Sequence, residues 1–208
     1  MTREPSALVF VVDDDEAVRS STKLLLKSIG LAAVSYSSAQ EFLEHYDPQQ
    51  PGCVVLDVRM PGMSGLELQQ LLNLRGAIIP LIFITGHGDI PMAVEAMQHG
   101  AFDFLQKPFR DQDLLDRVQR ALQKDRAARA QLREKARIRE RRASLTPRER
   151  EILELMTRGK PNKVMAADLG VSQRTVEIHR ARVMDKMGAS SLAQLVRMVM
   201  EIDEPGPT

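Results

Sequence analysis

The 208-residue chain has no tryptophan, only two tyrosines and six phenylalanines. Its single cysteine, Cys53, excludes an intrachain disulfide. Cys53 lies in the apolar stretch GCVVLDV and reads as a small buried core residue. No apolar run approaches the roughly 20 residues of a helical membrane span. The first seven residues carry charge and a proline in place of a signal peptide's apolar centre, so a cytoplasmic protein is expected. Neither charge sign dominates: the net charge is +1, with 43% hydrophobic and 27% charged residues, which excludes an intrinsically disordered chain. There is no internal repeat and no low-complexity tract.

The near-zero net charge hides an asymmetry. Residues 1–110 hold 8 Lys/Arg against 13 Asp/Glu, whereas 111–208 hold 21 against 15. An acidic half joined to a basic half implies two modules with different partners.

The acidic half alternates apolar runs, over 7–12, 32–36, 53–56, 81–84 and 102–105, with stretches of helical periodicity. Val18, Leu25 and Ile29 form one such face, closed by Gly30. SGLELQQLLNL and DIPMAVEAMQHG form two more, with Pro91 in a first turn and Gly100 at an end. Five strands alternating with helices predict a parallel sheet covered on both faces, with its ligand beyond the carboxyl ends of the strands. From residue 114 a stretch free of proline and glycine predicts one long connecting helix. Its apolar stripe (Leu115, Val118, Leu122) fades after Asp125, leaving Leu132 and Ile138. The later part therefore reads as solvated, its arginines as a linker face or, alternatively, as a contact for nucleic acid. The tail, 201–208, is expected to fray.

Polar residues fall where the apolar runs stop. Asp13 and Asp14 follow the first, Asp57 the third, Thr85 the fourth and Lys107 the fifth. All five are expected on one edge of the sheet. Clustered carboxylates need a cation, or one of them holds a proton. An all-oxygen set without His or Cys favours a hard ion such as Mg2+ or Mn2+. Asp57 is the best nucleophile, since a carboxylate forms an acyl phosphate. Asp13 and Asp14, with Asp57 and the backbone carbonyl of Arg59, would hold the metal. Lys107 would pair with phosphate, and Thr85 would donate its hydroxyl to it.

VVDDDEAV, VVLDVRMPGMSGLEL, ITGHGDIPMAVEAM and GAFDFLQKPF resemble the receiver domain of two-component response regulators. The resemblance implies a flavodoxin-like, five-stranded α/β receiver and phosphate donation to Asp57 by a sensor histidine kinase. It also implies an aromatic switch at Phe104, which turns inward as Thr85 moves toward the phosphate.

The basic half reads as four helices. Thr146, Pro147 and Glu149 open the first with a capping box, its apolar face carrying Ile152, Leu155 and Met156. The second spans 162–168, with Val164 and Ala167 inward. Leu169-Gly170-Val171 makes a tight turn in which Gly170 takes a left-handed backbone. Ser172 caps a third helix running to Met187, with Val176, Val183 and Met187 inward. A fourth, over 191–200, has Leu192, Leu195, Val196 and Val199 on its inner stripe. Two helices around a three-residue, glycine-containing turn are a helix-turn-helix. The outward face of its second helix carries Gln173, Arg174, Glu177, Arg180, Ala181 and Arg182, suited to the major groove. His179 reads equally as a buried histidine.

LTPRERE, NKVMAADLGVSQRTVEIHRARVMDKM and SLAQLVR resemble the LuxR-type helix-turn-helix, and the whole chain resembles FixJ/NarL-type regulators, StyR-type members with a long connecting helix included. By that pattern Glu177, Ile178 and Ala181 read bases, while Lys163, Ser172, Arg174, Thr175, His179 and Arg182 contact phosphates. Glu177 would either accept from a cytosine amino group or orient a neighbouring arginine. The expected organisation is a receiver over 5–122, a helical linker over 123–143 and a helix-turn-helix domain over 144–203. The expected function is a transcription factor, an enzyme only in its own phosphotransfer and autodephosphorylation. It would dimerise through Val94, Met97 and Phe102, with double-stranded promoter DNA and RNA polymerase as partners and no membrane. Three other readings fit the sequence less well. A haloacid-dehalogenase-like phosphatase needs a second acid where Arg59 stands. A ligand-gated regulator needs an aromatic pocket in a chain without tryptophan. A phosphate-independent receiver does not need the complete acidic site.

Overall fold

Short β-branched runs pair in parallel because each is followed by a helix long enough to cross back over the sheet. In the computed structural model, which describes residues 6–86 and 90–203, the strands are β1 (Leu8–Val12), β2 (Ala32–Tyr36), β3 (Gly52–Asp57), β4 (Leu81–Thr85) and β5 (Asp103–Gln106). They form one parallel sheet of order β2-β1-β3-β4-β5. The helices between them are α1 (Glu16–Ser28), α2 (Ala39–His45), α3 (Gly65–Leu74) and α4 (Ile90–Gln98), followed by α5 (Asp111–Ala143). The short helix α2, capped by Ser38, has no counterpart in the sequence reading.

The unbroken apolar runs of β1, β3 and β4 reflect burial on both faces, whereas the edge strands β2 and β5 are partly exposed. Phe10, Val12, Val54, Leu56 and Phe83 pack one way, against Phe42 of α2, Leu68 and Leu72 of α3 and Ala96 of α4. Val9, Val11, Cys53, Val55, Ile82 and Ile84 pack the other way, against Leu26 of α1 and Leu114, Val118 and Ala121 of α5. Cys53 is fully buried, and burial, then the charge of Asp125, pushes its thiol up to about 12. The inner face of α1 differs from expectation. Thr22 and Leu26 are buried, Val18 and Leu25 are half-buried, and Ile29 is exposed past the helix end.

The chain divides into two units after Arg129. Beyond its apolar stripe the helix α5 is mostly exposed, as expected, but Asp125, Arg129 and Ile138 are buried. Asp125 and Arg129 form a buried ion pair at 2.9 Å. Asp125 Oδ2 accepts from the Gly52 N–H at 3.0 Å, and Arg129 donates to the carbonyls of Pro48 and Gln50, each at 2.9 Å. This polar clamp ties the helix to the chain entering β3.

The second unit contains α6 (Pro147–Thr157), α7 (Asn162–Leu169), α8 (Gln173–Met187) and α9 (Leu192–Asp203). Ile138, the lone apolar residue in an arginine-rich run, is 1% exposed in its core. Arg141 donates to the Met187 carbonyl at 3.1 Å, beside Gly188 in its left-handed C-cap. Three expected faces are corrected. In α6, Ile152, Leu153 and Met156 are buried and Leu155 half-buried. In α7 the buried pair is Met165 and Ala166, while Val164 and Ala167 are exposed. Two turns are too few for periodicity to fix the phase, and packing on α8 decides it. In α9 the buried residues are Leu195, Met198, Val199 and Ile202; Leu192 is exposed and Val196 half-buried, because the helix continues to Asp203 and its stripe is rotated. Among the described residues no helix is long and apolar enough to cross a membrane.

Candidate functional site

Register builds the first site. Val12 is level with Leu56, Asp57 with Ile84, and Thr85 with Gln106. Asp13 and Lys107, each one residue beyond its strand, therefore arrive at the same edge as Asp57. Strand order reverses between β1 and β3, and that switch point opens the crevice in which such sheets bind ligands.

The two acids converge on one ammonium. Lys107 Nζ donates to Asp13 Oδ2 at 3.0 Å and to Asp57 Oδ1 at 2.8 Å. Each carboxylate gives its other oxygen to its own loop. Asp13 Oδ1 accepts from the Asp15 N–H at 2.8 Å, and Asp57 Oδ2 from the Arg59 N–H at 2.7 Å. Burial raises the Asp57 carboxyl above its ordinary range; the hydrogen bond and charge of Lys107 oppose the rise, Asp13 adds to it, and the Arg59 N–H opposes it. For Lys107 burial acts downward, but bonds to Asp57 and Asp13 and their charges leave it above its ordinary value. The acids therefore sit in a pocket that calls for positive charge.

The surrounding loops are fixed by packing. A Cβ on Gly65 would fall 2.3 Å from the Asp57 carbonyl oxygen, so only glycine lets α3 begin this close to β3. Ser64 and Glu67 close a capping box there. Thr85 is buried, with its hydroxyl donating to the Gly86 carbonyl at 3.0 Å. Phe104 is 39% exposed on β5. Asp14 and Arg59 are exposed. Residues 87–89 of the quoted ITGHGDIP stretch lie outside the described residues. Val94 and Met97 are exposed on α4, whereas Phe102 is half-buried in the core, with Lys124 Nζ 5.2 Å above its ring. The sequence reading missed Arg19, whose Nη1 donates to the Asp13 carbonyl at 2.7 Å. An arginine in the second turn of the helix after an acidic strand end is the signal that would have found it.

Among the described residues no three His, Cys, Asp or Glu side chains form a ready metal cluster. The donor set nonetheless fits a divalent cation. Two carboxylates share one positive centre among oxygen ligands, and their electrostatics favour added positive charge.

The second site is the outer face of α8. Gly170, at φ +65°, turns the chain from α7 into Ser172, whose hydroxyl accepts from the Thr175 N–H at 3.1 Å and pairs with the Thr175 hydroxyl at 2.9 Å. Lys163, Ser172, Gln173, Arg174, Glu177, Ile178, Ala181 and Arg182 are exposed; Thr175, His179 and Arg180 are half-buried. Ile178 stands 47% exposed on a helix otherwise lined with polar side chains. His179 Nδ1 is buried with no partner among the described residues. Away from this face, Glu149 closes the α6 capping box and accepts from Lys186 Nζ of α8 at 2.6 Å. The Lys186 hydrogen bond first, then the Thr146 N–H, holds its carboxyl down to about 2.

A doubly wound sheet with an acid pair and a lysine at its carboxyl edge, followed by a helix-turn-helix unit, defines the architecture of a two-module response regulator. Residues 9–119 match the family described as "Response regulator receiver domain", and residues 143–199 that described as "Bacterial regulatory proteins, luxR family". The chain belongs to the response regulators that carry a LuxR-type DNA-binding domain, and it is a transcriptional regulator. It is 50% identical over 192 residues to the "Transcriptional regulatory protein FixJ" of Azorhizobium caulinodans, covering 92% of this chain and 91% of that protein. It is equally identical, over 92% of its length and 85% of the relative, to "Nodulation protein W" of Bradyrhizobium diazoefficiens. A solved structure of the response regulator StyR superposes with a TM-score of 0.86 at 46% identity, covering 94% of this chain and 99% of that one.

Proposed function

We propose that the protein is switched by phosphorylation of Asp57 and then binds promoter DNA as a dimer. A sensor histidine kinase donates the phosphoryl group. The phosphorus–nitrogen bond of the phosphohistidine breaks, its electron pair stays on the imidazole, and an Asp57 oxygen forms the acyl phosphate. Asp13, Asp14, Asp57 and the Arg59 carbonyl would hold Mg2+ or Mn2+, which would supply charge neutralisation for the phosphoryl oxygens. Lys107 exchanges its bond to Asp57 for one to the phosphate, and Thr85 re-aims its hydroxyl from Gly86 to the same group. Phe104 turns inward to fill the space that Thr85 leaves. Hydrolysis returns Asp57 and inorganic phosphate, the protein's only self-directed chemistry.

Dimerisation uses the face around Val94 and Met97, with Phe102 beneath it. Two α8 helices then enter successive major grooves about 10 base pairs apart. Glu177, Ile178 and Ala181 face base edges there, while Lys163, Ser172, Arg174, Thr175, His179 and Arg182 face phosphates, with Gln173 between them. The second half-site is bound at high effective concentration, so dimerisation raises affinity. The outcome is activation of transcription through RNA polymerase, in the cytoplasm, where the promoter is.

The observation that carries this reading is the convergence of Asp13 and Asp57 on Lys107 at the sheet's switch point. Asp57→Asn is expected to abolish labelling by radiolabelled acetyl phosphate with Mg2+, and with it phosphate-dependent self-association. Undiminished labelling would remove Asp57 as the acceptor.

A further inference from the structure

The turn joining β1 to α1 carries both acids expected to hold the cation, and they are held very differently. Asp13 is buried and bonded at every polar atom of its carboxylate. Asp14 is exposed, and its carboxylate makes no hydrogen bond among the described residues. Its direction is therefore set by the backbone from which it projects.

Two side-chain bonds hold that backbone: Asp13 Oδ1 accepts from the Asp15 N–H across Asp14 at 2.8 Å, and a guanidinium on α1 holds the peptide before it. Arg19, half-buried in the second turn of α1, donates from Nη1 to the Asp13 carbonyl at 2.7 Å, a short charge-assisted bond. The Asp13 carbonyl belongs to the peptide that joins Asp13 to Asp14, so the bond fixes the plane from which Asp14 departs. The remaining ties of the turn run elsewhere. The Asp13 N–H reaches the Tyr36 carbonyl at 3.3 Å, and Asp15 spends its carboxylate capping α1. The Glu41 carboxyl, held low first by its bonds to the Ser37 hydroxyl and N–H at 2.7 Å each, is lowered least by the charge of Arg19.

We propose that Arg19 is a positioning residue for the divalent cation: it orients the 13–14 peptide so that Asp13 and Asp14 present their carboxylates together. This rests on the phosphoacceptor reading above. The proposal has a distinctive sign. A guanidinium acting only through its charge repels a nearby cation, so its removal would tighten metal binding. A guanidinium acting through position loosens metal binding when it is lost.

The test is calorimetric titration of the full chain with MgCl2 alone, for wild type, Arg19→Ala and Arg19→Lys, alongside acetyl phosphate labelling across a Mg2+ series. Arg19→Ala is expected to weaken Mg2+ binding about tenfold, as loss of a supporting hydrogen bond around a metal ligand does. Its labelling rate should return close to wild type at saturating Mg2+, a change in half-saturation and not in maximal rate. Arg19→Lys, which keeps a donor, should fall between. Should Arg19→Ala fail to fold, Arg19→Gln is read on the same axis. Mg2+ affinity that is unchanged or tighter in the neutral variants, beside normal wild-type binding and labelling, overturns the role of Arg19 alone. A wild-type chain that neither binds Mg2+ nor takes up phosphate overturns the parent reading, and this one with it.

Discussion

The two units place the residues proposed to act in opposite environments. At the sheet edge Asp13, Asp57 and Thr85 are buried or nearly so, and each is hydrogen-bonded within the protein. On α8 the corresponding residues are mostly exposed and, the Ser172–Thr175 pair aside, the ties that hold the helix lie behind them, in Glu149, Lys186 and Arg141. A pocket that stores charge must hold its groups in place before the charge arrives. A surface that meets DNA gains its partners only on docking. Loss of a single group should therefore act on chemistry or folding in the first unit, and on salt-dependent affinity at the face of the second.

The largest expected effect lies at the clamp on α5. Arg129→Ala leaves Asp125 buried without its counter-ion and is expected to destabilise the first unit by about 3–5 kcal/mol. Denaturant unfolding of the full chain would measure it, and a loss under about 1 kcal/mol would show the pair to be solvated in solution. Behind the outer face of α8, Glu149→Ala removes the acceptor for both Lys186 and the Thr146 N–H, and about 1–3 kcal/mol should be lost from the second unit. The same residue gives a pH signature. Its folded carboxyl is depressed from the ordinary 4.5 to about 2, so its contribution is full above 4.5 and is lost as pH falls toward 2. Acid titration of the second unit's melting temperature should therefore flatten over that window in Glu149→Ala. An equally steep profile in the variant would assign the acid loss to other groups. Lys163→Ala should fold like wild type, weaken binding to all DNA sequences alike, and lower the salt slope by about one. A loss confined to one operator sequence would instead make Lys163 a reader of bases.

The pocket was legible because strand ends need no side-chain detail. Once five apolar runs are taken as parallel strands, Asp13, Asp57, Thr85 and Lys107 must share an edge. Capping residues were legible for a similar reason, since Thr146, Glu149 and Ser172 act within a few residues of themselves. Features that depend on distant partners were not. Asp125 and Arg129 stand in a charged helical run and look solvated, yet Asp125 is held by the N–H of Gly52, 73 residues earlier. Ile138 looked stranded among arginines and is core. The inner faces of α7 and α9 were displaced because neighbouring helices, not the sequence period, choose which side is covered.

The contacts of α5 also say where the polypeptide can be cut. A first piece ending at residue 122, where the apolar stripe stops, leaves the Gly52 N–H and the carbonyls of Pro48 and Gln50 without their partners. A second piece beginning at residue 144 discards Ile138 and the guanidinium that closes the end of α8. Severing the chain between Arg129 and Ala130 spares both sets of bonds, so halves made there should each be produced as ordered, separately crystallisable proteins.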